Sequence, residues 1–146
     1  MIYVLNRKAQ AVWEGNLKNG RGIIEFGGGA FKGNYSFASR FENGKGTNPE
    51  ELIAAAHSGC FAMALSNMLA EAGYTPEQVK VTAKVSLEKV DNGFKITTSH
   101  LDCIAKVPGI SQDKFMTIAE EAKKGCPVSV LLSHIQITLD ARLENE

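Results

Sequence analysis

Cys60, Cys126 and His57 are the side chains of this sequence whose types and surroundings best suit nucleophilic or redox chemistry. Cys60 lies in the mostly apolar run Thr47 to Leu65, where burial raises a thiol's pKa unless a cation stands near. Cys126 precedes Pro127 and reads as the cap of a short helix. A helix N-terminus lowers a thiol's pKa and is expected to expose the sulfur. Local physics alone therefore names Cys126 the nucleophile. His57 lies one turn before Cys60 on about the same face, which permits a Cys–His pair, although a hydrogen-bonded core histidine is the favoured reading. Each cysteine also admits the plainer reading of a small buried hydrophobe. Metal chemistry is poorly supported. No C-x-x-C or H-E-x-x-H spacing occurs, and Cys60, His57 and Cys126 would want a fourth ligand for structural zinc. No cofactor is indicated, and Gly27-Gly28-Gly29 lacks the spacing of a nucleotide fingerprint.

The elements that must position these groups are legible in chain order. Residues 9–26 read as a hairpin turning at Asn19-Gly20. Tyr35 to Phe41 reads as a strand of period two, with Arg40 on the face opposite Tyr35, Phe37 and Phe41. Taken alone, Arg40 is a surface charge. A long helix follows. Asn48 caps it, Pro49 suits its first position, and Glu51 completes a capping box. Glu50 and Glu51 lie where the helix dipole favours negative charge. No charge then appears until Glu71, and Gly73 is the expected stop. The run is too rich in Ala, Ser and Gly for a convincing membrane span. A helix apolar on nearly every side calls for burial all round.

Val79 to Val90 alternates cleanly, Asp91-Asn92-Gly93 is the strongest hairpin turn, and Phe94 to Val107 returns. The apolar phase changes between Ile96 and Leu101, which predicts a bulge or twist midway. Cys103 falls in the returning strand as packing. Ser111 caps a helix with an apolar stripe at Phe115, Ile118, Ala119 and Ala122, and Gly125 ends it. After the short helix at Cys126-Pro127, Ile135 to Leu143 alternates as a closing strand. Strands, long helix, hairpin, helix pair and strand make an α+β fold.

Composition sets the class. The 146 residues suit one domain spanning residues 1–146, and 44% hydrophobic content is that of a globular protein. Sixteen basic and sixteen acidic side chains cancel, which argues against nucleic acid as a partner. Met1 to Lys8 lacks the apolar core of a signal peptide. Three widely spaced cysteines fit a reducing compartment better than a disulfide scaffold. The expected address is cytoplasmic, with no membrane partner.

The segment Gly46 to Leu52 through His57 and Cys60-Phe61, followed by Gly125-Cys126-Pro127-Val128-Ser129, resembles the OsmC/Ohr family of hydroperoxide reductases. Trp13-Glu14-Gly15, Ser39-Arg40-Phe41 and Val107-Pro108-Gly109-Ile110 resemble its OsmC branch. The likeness runs nearly end to end. It implies an intertwined homodimer with curved antiparallel sheets packed on long central helices, and two active sites at the subunit interface. It also implies a thiol-dependent peroxidase acting chiefly on organic hydroperoxides, in oxidative or osmotic stress defence. Under that resemblance Cys60 is the peroxidatic cysteine and Cys126 the resolving one. Arg40 stabilises the thiolate and the developing oxyanion, and Glu50 holds the guanidinium in a bidentate pair. Sulfenic acid at Cys60 then condenses with Cys126, and an external dithiol, a lipoylated protein in the family, reduces the disulfide. Phe37, Phe61 and Met63 are expected to line an apolar pocket.

Glu50 and Cys60 are ten residues apart, about 15 Å along a straight helix and turned by about 80°. A glutamate cannot span that distance to its own thiol. Arg40 bridging part of the gap or a bend at Ser58-Gly59 would be one answer; the simpler expectation is two such helices crossing antiparallel about a two-fold axis, bringing Glu50 of one chain to Cys60 of the other. Two other classes stay open: a Cys60–His57 acyl or thiol transferase, and a redox sensor or apolar-ligand module without turnover.

Overall fold

The computed structural model describes residues 3–144. Met1 and Ile2, part of the stretch read for a leader, lie outside the described residues. Contacts divide the chain into two compact units, Met1–Pro49 and Glu50–Glu146.

In the first unit, β1 (Ala9–Glu14), β2 (Arg21–Phe26) and β3 (Phe31–Tyr35) form an antiparallel sheet in that order. The expected hairpin pairs Ala9 with Phe26 and Glu14 with Arg21. Gly27–Gly29 forms a short 3-10 turn that leads into β3. The strand expected from Tyr35 to Phe41 is not one. Tyr35 ends β3, and Phe37–Phe41 form a short helix, α1. Ser36 and Ser39 decide this by a reciprocal cap: the Ser39 N–H donates to Ser36 Oγ at 3.1 Å and the Ser36 N–H to Ser39 Oγ at 2.8 Å. Phe37 and Phe41 are four residues apart, a spacing that fits a helix face as well as a strand. Their ring centroids lie 4.9 Å from each other.

The second unit begins one residue into α2 (Pro49–Glu71), a helix that starts and ends where its signals place it. At its end Gly73 takes φ 95°, and the Tyr74 N–H reaches back to the Leu69 carbonyl at 2.9 Å. This left-handed close suits glycine alone at low cost. His57, Phe61, Leu65 and Leu69, each four residues on, are fully buried. Burial all round is not met within one chain, because Met63 is 77% exposed. The helix is long and apolar enough to cross a membrane, with a mean hydropathy of 1.4 in its most apolar window. Its buried stripe nevertheless belongs to the core of this unit.

Strand β4 (Gln78–Val90) pairs antiparallel with β5 (Gly93–Lys106), and their register shifts at Ser86/Leu87. Leu87 faces Ile96 and Ser86 faces Thr98, so Thr97 is the extra residue. This is the predicted bulge, and it resolves the change of apolar phase. Beyond it the row Ser99, Leu101, Cys103 and Ala105 is buried throughout. Against that row pack the α2 stripe and α3 (Gln112–Gly125), whose Phe115, Ile118, Ala119 and Ala122 are buried as expected. After α4 (Pro127–Leu131), the last strand β6 (Gln136–Leu143) joins β5 in parallel. Here the sheet departs from the antiparallel expectation. A helical connection lets the chain return to the same end of the sheet before β6 begins. The α+β class holds.

Candidate active site

Gly125 ends α3, and Cys126 turns the chain with φ −65° and ψ 137°. This one residue closes α3 and opens α4. Its N–H donates to the Ala122 carbonyl, and its sulfur accepts from the Ser129 N–H at 3.4 Å. Pro127 occupies the first turn of α4, as expected. The exposure anticipated for this sulfur is overturned, for Cys126 is only 1% exposed. Capping folds the sulfur over the first turn of α4, and the buried stripe of α3 carries that cap into the core.

Cys60 reaches the same place from α2 and is half-buried. Its thiol lies beside the Val128 amide and the Cys126 side chain. Both are free thiols. Burial pushes the Cys60 thiol up, the Cys126 sulfur adds to that, and the Val128 amide opposes it. The more accessible of the two sulfurs is therefore the one in the apolar helix, the reverse of the local-physics ranking. Cys103 is fully buried between Leu101 and Ala105 and pushed up to about 11, first by burial and then by Asp102. It packs, as read.

His57 is fully buried. Its Nδ1 lies 2.6 Å from Ser99 Oγ and its Nε2 2.8 Å from Ser129 Oγ. Ser129 Oγ is in turn 3.1 Å from the Cys126 sulfur. The favoured reading of a hydrogen-bonded core histidine is met. The link to sulfur, however, runs through Ser129 to Cys126. Burial holds the imidazole below its ordinary pKa.

Ser99, Ser129 and the Val128 amide carry no role in the sequence reading. Ser99 carries a signal: it is a hydroxyl in phase with the apolar row Leu101, Cys103 and Ala105. A polar side chain on a buried face needs a polar partner. Ser129 sits three residues after Cys126, where a capped N–H is found.

Arg40 is exposed on α1 in the first unit, with its guanidinium 5.3 Å from the Phe41 ring centre. Glu50 is buried in the first turn of α2. Ten residues of unbroken helix, about 15 Å, separate Glu50 from Cys60. One chain thus brings Cys60 to Cys126 and keeps Glu50 from its own Cys60. Phe61, expected in a pocket, is wholly in the core. Among the described residues, no group of three or more His, Cys, Asp or Glu side chains is placed to hold a metal ion.

The family model for OsmC-like proteins matches residues 42–140. Over 142 residues, 97% of this chain and 99% of the relative, the sequence is 51% identical to Peroxiredoxin OsmC of Escherichia coli. It is 34% identical over 103 residues to an organic hydroperoxide resistance protein-like 2 of Staphylococcus epidermidis, covering 68% of this chain and 70% of the relative. Among solved structures, an organic hydroperoxide resistance protein of Legionella pneumophila superposes with a TM-score of 0.71 at 25% identity, over 92% of this chain and 96% of the other. An OsmC-like protein of unknown function from Vibrio cholerae gives a TM-score of 0.76 at 18% identity, over 95% and 100%, and shares the fold.

The environment of His57 sets a pH dependence. Its folded pKa is below the unfolded value of 6.5, so the unfolded chain binds the extra proton first as pH falls. The stabilising contribution of neutral His57 is fully present above about 6.5 and is lost as pH drops toward the folded value. Urea midpoints should fall between pH 7 and pH 5, and His57→Gln should flatten that part of the curve. An unchanged slope in a folded His57→Gln protein would show that other groups set it.

Proposed function

Because the chain belongs to the family of OsmC-like proteins, we propose that it is a cysteine-based peroxidase that reduces organic hydroperoxides to alcohols. The observation that carries this reading is the placement of two free thiols side by side, one half-buried and one buried. The names of its relatives, a peroxiredoxin and organic hydroperoxide resistance proteins, point to the same substrate class.

In this mechanism the Cys60 thiolate attacks the terminal oxygen of the hydroperoxide. The O–O bond breaks, Cys60 becomes a sulfenic acid, and the alkoxide leaves and takes a proton to become the alcohol. Cys126 then displaces hydroxide from the Cys60 sulfur, forming a disulfide and water. A dithiol of the lipoylated-protein class reduces that disulfide by exchange and is itself oxidised. Placing both sulfurs together before oxidation favours rapid closure over further oxidation of Cys60. A reducing cytoplasm suits a cycle that begins from free thiols.

A thiol raised by burial needs a cation to ionise. Arg40 takes that role, giving its planar set of donors to the thiolate and to the departing oxygen, with Glu50 as its carboxylate partner. The helix length keeps Glu50 from its own Cys60, so the partner chain of a homodimer supplies it. The apolar face of α2 around the exposed Met63 is consistent with that pairing.

One equivalent of cumene hydroperoxide should yield a Cys60–Cys126 disulfide by intact mass and peptide mapping, and dihydrolipoamide should reverse it. Cys60→Ser should consume no peroxide, whereas Cys126→Ser should accumulate sulfenic and then sulfinic acid at Cys60. A disulfide that no dithiol reverses would mark a one-shot sensor, and one containing Cys103 would overturn the assignment. Arg40→Lys keeps charge but loses the fork, and should slow peroxide consumption by roughly ten-squared to ten-cubed; unchanged kinetics would make Arg40 a surface charge only. Mixed dimers of Cys60→Ser and Glu50→Ala chains should regain activity above either parent. Verified heterodimers without recovery would place each site within one chain.

A further inference from the structure

Resting on the peroxidase reading, we infer that Ser129 and His57, with Ser99 behind them, form a buried proton relay for the resolving cysteine: Ser129 takes the Cys126 proton as that sulfur attacks Cys60, and His57 takes the proton of Ser129. The geometry is continuous. Ser99 Oγ, His57 Nδ1 and Nε2, Ser129 Oγ and the Cys126 sulfur are joined by separations of 2.6, 2.8 and 3.1 Å between the side chains. Ser99 and His57 are 0% exposed, Cys126 1% and Ser129 3%. Water therefore has little access to the Cys126 sulfur as a base, while the protein offers a connected one.

The hydrogen-bond inventory orients the chain. Neutral His57 has one N–H and one acceptor nitrogen. With the proton on Nδ1 donated to Ser99, Nε2 accepts from the Ser129 hydroxyl. The Ser129 oxygen is then left to accept the Cys126 S–H. That arrangement directs the thiol proton toward Ser129 and leaves sulfur lone pairs free to face Cys60. After transfer the directions reverse: Nε2–H donates to Ser129, and Ser129 donates to the Cys126 thiolate. A core histidine held only for packing needs no serine bonded to both its ring and a reacting sulfur.

The step balances. The S–S bond forms and the Cys60 S–O bond breaks. Hydroxide leaves from the half-exposed Cys60 side and takes a proton from solvent to become water. The Cys126 proton rests on His57. When the dithiol attacks the Cys60 sulfur, Cys126 departs as a thiolate and takes that proton back through Ser129, while the dithiol is oxidised. Burial disfavours the charged imidazole and so favours this return. No charged group contributes to the shift of His57. Among the described residues, the titratable groups near the relay are the thiols Cys126 at the start of α4 and Cys60 on α2, Cys103 further along the β5 row, and Lys123 and Lys124 of α3, which line a pocket together with Ser129.

Ser129 touches the reacting sulfur and is assigned a catalytic role; His57 and Ser99 act through it as positioning residues. The test separates the two half-reactions in the full-length protein. Reduced enzyme is mixed with one equivalent of cumene hydroperoxide, quenched with dimedone at intervals, and read by intact mass as Cys60 sulfenic adduct against disulfide. In Ser129→Ala and His57→Gln the conversion of sulfenic acid to disulfide should slow by roughly a hundredfold, the scale of lost general-base catalysis, so the adduct accumulates. Its pH profile should also change. The wild type should resolve with a shallow dependence between pH 6 and pH 8, whereas His57→Gln should resolve faster as pH rises, because hydroxide must then take the proton that the relay no longer accepts. Ser99→Ala removes one hydroxyl and is the conservative check should His57→Gln fail to fold; a slower resolving step is expected there too. Resolving rates and pH profiles equal to wild type in the folded variants would overturn the relay while leaving the peroxidase reading intact. Neither adduct nor disulfide in the wild type would overturn both.

Discussion

A fully buried imidazole has to be satisfied at both ring nitrogens, and in this protein that requirement ties three elements together. His57 on α2 meets Ser99 on β5 through one nitrogen and Ser129 on α4 through the other. Leaving either nitrogen unpaired would cost about 1–3 kcal/mol. A helix docked only by its apolar stripe could slide or rotate by a fraction of a turn with modest loss. Two directional bonds at 2.6 and 2.8 Å remove that freedom, because a shift of 1 Å breaks one of them. The position of Cys60, one turn further along α2, follows from this anchoring.

The helix itself works on two faces. His57, Phe61, Leu65 and Leu69 bury one stripe against β5 and α3, while Met63 stands clear of the core. Cys60 is offset by about 60° from His57 around the axis, which puts it at the margin of the buried stripe. There it is covered enough for its thiol to be raised, yet open enough for a substrate to approach. Cys126 has the opposite setting. Its double duty as the end of α3 and the cap of α4 holds the sulfur inside, next to Cys60. On the proposed reading, accessibility is what separates the attacking thiol from the resolving one.

Bulge and crossover serve the same end. Without the extra residue Thr97, Ile96 would fall on the face of the sheet opposite Ser99, Leu101 and the rest of the buried row. The parallel return of β6 follows from spending α3 and α4 between the strands. That connection carries Cys126 past α2.

Much of this was legible in the order of residues, because local signals act over a few positions. Asn48-Pro49 and Gly73 bound α2, Ser111 and Gly125 bound α3, Asp91-Asn92-Gly93 turns the long hairpin, and the phase change foretells the bulge. The family motifs singled out Cys60 and Cys126 as a pair. Local signals mislead where two periodicities agree, as at Phe37 and Phe41, and where a capping position does not carry exposure with it, as at Cys126. What no local pattern contains is the meeting of residues 57, 99 and 129, or the contact of residues 60 and 126. Those depend on how three elements distant in the chain dock, and docking is set by summed burial and by the hydrogen bonds of groups shut away from water.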